Sequence, residues 1–249
     1  MGLLQSDAVV LQTYPLSETD RIVVLYSRGH GKLRGVAPGA RKIKSSFSGR
    51  LEPFHWIEFS GYERENQELV RIDKAELIRS FGMRLPTYRS FLQFSVLAEL
   101  LLKTVPDREP NDSLFRLLLQ VLPELREPVR SNLAQLYFEI WHLRLAGLLP
   151  ASGYCSQCHA DLLVSPEVFF EPLSHSFFCA DCKQGSCYLL SSLSYRLLRT
   201  VLRNPISAIL SSETWTAQSQ NELSLVIENL LRRNFERNLE CLQLVHSES

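Results

Sequence analysis

The chain has 249 residues, balances 27 Lys and Arg against 27 Asp and Glu, and is 45% hydrophobic. No apolar run approaches the roughly 20 residues of a membrane span, and no low-complexity tract is present, so an ordinary globular protein without a membrane domain is expected. Its size allows a large core, and any basic character has to be local rather than global.

The opening MGLLQSDAVV lacks a basic region ahead of an apolar stretch, so no secretory signal is read and a cytoplasmic location is expected. From Asp7 to about Ile78 the pattern is short β runs: AVVLQTY, RIVVLYS, KLRGVA, FHWIEFSGY and LVRIDKAELI. Five strands with turn-like connections in about 75 residues predict a small barrel, and the five-stranded OB-fold fits that count. The connections PLSETD and ERENQE are net acidic, which leaves strands two and three and the loop after strand three as the electropositive surface. Within PLSETD, Glu18, Thr19 and Asp20 read as turn residues that hold Arg21.

The segment from Arg28 to Arg50 carries Arg28, Lys32, Arg34, Arg41, Lys42, Lys44 and Arg50 and no Asp or Glu. Seven cations on a Gly- and Ser-rich stretch create a local positive field, and a phosphate backbone is its natural partner; a merely solvated loop is the alternative. Aromatic residues accompany it. Phe47, flanked by serines, is the candidate for stacking on bases, whereas Phe54 and Trp56 read as strand residues packed in the barrel.

After Gly82 the period changes to that of helices. Phe91, Phe94, Leu97, Ala98, Leu101, Leu102 and Val105 share one face, ended by Pro106; a second helix starts at Asn111 or Asp112 and meets Pro123. A third follows Pro128 and stops at Gly147 to Pro150. A fourth is capped by Ser191 or Ser192 and closed by Asn204-Pro205, and a fifth runs from Asn221 to about Leu244, with Leu223, Val226, Ile227, Leu230, Leu231 and Leu242 inward. Its Arg232, Arg233 and Arg237 read as a solvated face or as an extension of the phosphate path. The class is therefore α+β and multidomain: a barrel at 1–82, a helical domain at 83–150 and 188–249, and an insertion at 151–187.

That insertion holds the most specific motif. Cys155 and Cys158, then Cys179 and Cys182, form two C-x-x-C pairs, and such knuckles complete a closed shell of four thiolates around one structural Zn²⁺. Cys187, His159 and His175 are lesser candidates as ligands. With Asp161, Glu167, Glu171 and Asp181 against Lys183 alone, the module would repel phosphate and is assigned to architecture or a protein partner. The chain lacks a Walker phosphate loop, G-x-G-x-x-G, H-E-x-x-H and G-x-S-x-G, and His30, His55, His142 and His246 are scattered, so no enzyme is expected.

The runs E18-T-D-R-I-V-V-L, H30-G-K-L-R-G-V-A, G39-A-R-K and F47-S-G-R-L-E-P-F resemble the N-terminal domain of the bacterial recombination and repair mediator family RecO. The helical remainder and the cysteine pairs are also similar to that family. The resemblance implies an OB-fold joined to a helical domain, binding of single- and double-stranded DNA and annealing of complementary strands. It also implies cooperation with RecR and single-stranded-DNA-binding protein to load RecA at gaps. The phosphate contacts expected are Arg34, Arg41, Lys42, Lys44 and Arg50, then Lys32 and Arg28. Two other readings are a zinc-stabilised protein adaptor without direct DNA binding and a metal-dependent nucleic-acid enzyme, the latter disfavoured by the closed metal shell.

Overall fold

A computed structural model describes residues 2–63, 68–82, 85, 87–150, 153–235 and 239–241. Residues 64–67 of the ERENQE connection, Arg237, Leu242 and His246 lie outside the described residues. No helix among those described is long and apolar enough to cross a membrane.

The five expected strands all form: β1 (Gly2–Pro15), β2 (Arg21–Ser27), β3 (Gly31–Ala37), β4 (His55–Glu63) and β5 (Val70–Ser80). They close into a barrel in the order β1-β2-β3-β5-β4, with β3 and β5 parallel at Gly35↔Val70 and Val36↔Arg71. β1 begins earlier than its apolar run because it serves two partners. Gly2 to Val9 pair with β4, Ala8 to Pro15 pair with β2, and a bulge between Val10 and Gln12 lets the strand bend between them. Ala8 and Val10 then point into the barrel, while Val9 and Leu11 join the helical core. β2 is apolar at consecutive positions for the same reason. Val23 and Leu25 fill the barrel, and Tyr26 packs on the opposite side against Phe115 with ring centroids 6.1 Å apart.

The helices are α1 (Tyr88–Thr104), α2 (Asp112–Val121), α3 (Ser131–Leu145), α4 (Ser192–Val201), α5 (Ile206–Leu210) and α6 (Ala217–Phe235). Side-chain caps fix their starts: Thr87 accepts from the Ser90 amide, Asn111 from the Leu114 amide and Ser191 from the Ser194 amide. α6 starts upstream of Asn221 because the Thr216 hydroxyl accepts from the Ser219 amide at 3.1 Å. The short α5 was hidden in the sequence by Asn204-Pro205, which ends one helix and, with its preset φ, opens the next. Leu223, Val226, Ile227, Leu230 and Leu231 of α6 are buried as expected.

The inserted segment forms a sheet of order β7-β6-β8, from β6 (Glu167–Glu171), β7 (Ser176–Phe178) and β8 (Tyr188–Ser191). Its last strand lies wholly beyond residue 187, the expected end of the insertion, and leads directly into α4. Val168, Phe170, Phe177 and Leu190 join the same core as the helices, so the insertion is built onto the helical domain rather than hung from it.

Gln135, Glu139 and His142 of α3 are polar and buried. The Gln135 amide donates to the Glu139 carboxylate at 2.7 Å, and burial pushes the Glu139 pKa up to about 8, with nearby Glu228 adding to the rise. The Thr104 hydroxyl donates to the Leu100 carbonyl at 2.6 Å, so His142 must donate from Nε2 to Thr104, at 2.7 Å. Burial lowers the His142 pKa to about 4. The two groups act on stability with opposite signs. His142 is neutral when folded and charges when unfolded, so stability rises with pH between about 4 and 6.5. Glu139 holds a proton when folded that the unfolded chain loses, so its contribution falls between about 4.5 and 8. Glu139→Gln should therefore stabilise the fold increasingly towards pH 8, by on the order of 2–4 kcal/mol, and change little at pH 4.5. Urea unfolding of both proteins at the two pH values measures this; an equal effect at both would contradict it.

Candidate nucleic-acid interface and metal centre

The loop after β3 is a chain of tight turns. The Lys42 amide donates to Gly39, Ser45 to Lys42, Ser48 to Ser45 and Arg50 to Phe47, at 3.0 to 3.2 Å. The β1–β2 turn anchors it from the side. The Arg41 amide donates to the Thr19 carbonyl at 2.9 Å, the Arg41 guanidinium donates to the Ser17 carbonyl, and the Gly39 amide donates to Asp20 Oδ1 at 2.8 Å. The Gly39 amide and then the Thr19 hydroxyl hold the Asp20 carboxyl below its ordinary pKa. Thus Thr19 and Asp20 do not hold Arg21, as the sequence suggested; Arg21 pairs with Glu52 at 3.1 Å and the turn holds the basic loop. Only the contact across the barrel end reveals this, because the partners are some twenty residues apart.

The seven cations separate into two groups. Arg34, Arg41, Lys42, Lys44 and Arg50 are exposed, and none of them forms an ion pair among the described residues. Lys32 and Arg28 behave differently. Lys32 is 8% exposed; its ammonium donates to the Leu102 carbonyl at 2.7 Å and pairs with Asp107 at 3.2 Å. It joins the barrel to the end of α1, which corrects the expectation of a phosphate contact: the barrel surface at that place lies against the helices. Arg28 pairs with Asp112 at 3.0 Å and Asp7 at 3.6 Å and lies over the Phe115 ring, 5.2 Å from its centroid. Its charge is already matched by two carboxylates.

Phe47 also has a structural place. It is 5% exposed and packs with Leu33, Leu51, Ile57 and Phe59 inside the barrel, so it cannot stack on a base while the loop keeps this fold. Flanking serines gave it the look of a solvent residue, but it is the plug that pins the loop to the barrel. Phe54, with φ 61°, turns the other way and meets Phe94 edge-on at 4.8 Å; Trp56 donates to Asp7 at 3.2 Å at the same boundary. Both are therefore packed residues, at the junction with the helices rather than in the barrel interior. On α6, Arg232 pairs with Glu228 at 2.5 Å while Arg233 is exposed.

The sulfurs of Cys155, Cys158, Cys179 and Cys182 lie within 4.8 Å of one another, with Cys158 and Cys179 at 3.7 Å. A tetrahedral shell with metal–sulfur bonds of about 2.3 Å would space its sulfurs about 3.8 Å apart, so the four fit one ion. The first knuckle is shaped by the Cys155 amide donating to Ala160 and the His159 amide to Cys155, with His159 at φ 58°; the Ser156 amide donates to Phe177 and ties the knuckle to β7. Burial raises the Cys155 thiol, but the amides of Cys158, Cys179 and Gln157 outweigh it and bring its pKa to about 6. Amides aimed at one sulfur favour the thiolate that a metal requires. Cys187 instead donates to the Gln184 carbonyl at 3.1 Å, and neither it nor His159 or His175 belongs to the cluster.

The family model described as Recombination protein O N terminal matches residues 1–81, and that described as Recombination protein O C terminal matches residues 87–242. The chain is 35% identical over 243 residues to the DNA repair protein RecO of Koribacter versatilis, covering 98% of each chain. It is 30% identical over 240 residues to that of Dehalococcoides mccartyi, covering 94% of this chain and 92% of the relative. Among solved structures, Entamoeba histolytica asparaginyl-tRNA synthetase overlaps 73% of this chain and 40% of its own at 11% identity and a TM-score of 0.29, too low to bear on fold or function.

The purified chain is expected to hold one metal ion, and Cys155→Ser to lose it and lower the thermal midpoint. Because every thiolate ligand must shed its proton, acidification should release the ion. Atomic emission and thermal unfolding with and without a chelator check this; a variant that keeps both metal and midpoint would contradict it.

Proposed function

The chain belongs to the RecO family of DNA repair proteins, and from that premise we propose that it is a non-enzymatic mediator of DNA repair and recombination that binds DNA through its barrel. One observation carries the reading. Five exposed cations with no ion pair among the described residues, Arg34, Arg41, Lys42, Lys44 and Arg50, sit on β3 and on the anchored loop that follows it. The closed strand order, with β3 and β5 parallel, supports reading the barrel as an OB-fold. On that fold a positive groove tracks a single strand without reading sequence.

Annealing then needs no catalytic residue. Cations that neutralise phosphates on two strands lower their mutual repulsion and raise the rate of productive encounter. In this reading the protein accepts single- and double-stranded DNA, anneals complementary strands and, with RecR, helps load RecA onto gaps covered by single-stranded-DNA-binding protein. Work at the nucleoid in the cytoplasm follows from it.

The four cysteines are read as holding one structural Zn²⁺. Four soft thiolates favour it, and a closed shell leaves no position for a substrate. The same module suggests a protein-binding role beside the DNA role: it is acidic, and Val164 and Leu173 are 82% and 79% exposed on it.

Affinity for oligothymidine measured against salt tests the DNA reading. With about five phosphates neutralised, log affinity should fall against log salt with a slope of about −3.5, and changing Arg41, Lys42 and Lys44 together to Ala should flatten it by about 2. Lys32→Ala should leave the slope unchanged while lowering stability. A triple variant with an unchanged slope would move the site elsewhere, and no binding by the native protein would leave the adaptor reading.

A further inference from the structure

The tip of the basic loop carries a side chain for which its phosphate contacts give no use. Ile43 is 100% exposed, between Lys42 and Lys44, and is the most exposed large apolar side chain among the described residues. Single exposed apolar residues are common and need no explanation by themselves. This one differs in how it is held. The Ser45 amide donates to Lys42 at 3.1 Å, which makes Lys42 to Ser45 a tight turn with Ile43 and Lys44 at its corners. The turn is pinned on one side by the Arg41 amide on Thr19, at 2.9 Å, and on the other by Phe47 in the barrel core. The tip therefore cannot fold Ile43 back onto the protein without breaking an anchor.

We propose that Ile43 is an apolar wedge that inserts against or between the bases of a bound nucleic acid strand. The inference rests on the DNA-binding reading above and assigns a new part to it. Lys42 and Lys44 flank Ile43, so phosphates drawn to them would lie on either side of the tip. The surface then facing Ile43 is that of the bases, the apolar part of a nucleic acid strand. Aliphatic side chains inserted at base steps are a general way to unstack them. The wedge replaces the stacking role that Phe47 cannot perform from inside the barrel. A protein surface is the competing partner for an exposed isoleucine, but a partner that also met Lys42 and Lys44 would have to be strongly acidic at that spot, and phosphate supplies that charge directly.

Ile43 touches nothing in the fold, so its variants are expected to fold. The experiment uses the full chain, native, Ile43→Ser and Ile43→Leu, with oligothymidine and with the same oligonucleotide carrying one 2-aminopurine. Covering part of such a side chain corresponds to roughly 5- to 10-fold in affinity. Ile43→Ser should weaken binding by about that factor with the salt slope unchanged, because no charge is altered, and Ile43→Leu should bind as the native chain does. The native chain should raise 2-aminopurine fluorescence on binding, and Ile43→Ser should abolish most of the rise. Equal affinity and equal fluorescence in Ile43→Ser would overturn the wedge while leaving the DNA reading intact. A lost affinity with an unchanged fluorescence rise would also overturn it, by placing Ile43 on the sugar-phosphate backbone. No salt-dependent binding by the native chain would overturn the DNA reading itself, and the wedge with it.

Discussion

The buried ammonium of Lys32 is the contact around which the two halves of the molecule are arranged. It leaves the barrel wall at β3 and reaches the Leu102 carbonyl at the end of α1 and the Asp107 carboxylate just beyond. The Arg108 amide donates back to the Lys32 carbonyl at 3.0 Å, so the segment after α1 lies along β3 almost as another strand. Gly31, at φ 67°, permits that approach: a Cβ there would fall 2.4 Å from the Glu109 carbonyl oxygen. A buried lysine is tolerable only with its charge and its donors matched, and removing either partner would leave an uncompensated cation in the interface.

This junction decides which surfaces remain for function. It covers Val9, Leu11, Tyr26 and Phe54 of the barrel with the helical core, and it takes Lys32 and Arg28 out of the set of free cations. What stays exposed is Arg34 and the loop carrying Arg41, Lys42, Lys44 and Arg50. The four-cysteine module sits on the helical domain and has the opposite sign of charge. The molecule thus separates a positive edge on the barrel from an acidic module built around four clustered cysteines. Phosphate would be drawn to one and turned from the other.

Much of the fold was legible because each element carries its own boundary signals. Pro106, Pro123 and Asn204-Pro205 mark helix ends, Asn111 and Ser191 mark starts, and the short β runs between turn-like connections placed all five strands. The cysteine pairs were legible for a different reason, since a two-residue spacing constrains geometry without help from the rest of the chain. The site was less so. A cation counts the same in a sequence whether it faces water or a distant carboxylate, and the pairing of Lys32 with Asp107 depends on how two domains meet. Phe47 failed in the reverse direction: serine neighbours describe the loop backbone, whereas its burial depends on an open end of the barrel that needs a plug. The small sheet of the insertion and the short α5 also escaped, the first because its strands are only three to five residues long.

In the proposed reading nucleic acid meets the loop after β3 and not the four-cysteine module. Hydrogen–deuterium exchange of the full chain with and without saturating oligothymidine tests this most directly. Exchange should slow across residues 38–50 and at the β1–β2 turn that anchors them, with residues 153–187 unchanged. Protection confined to the metal module or to α6, with the loop exchanging as freely as before, would contradict it.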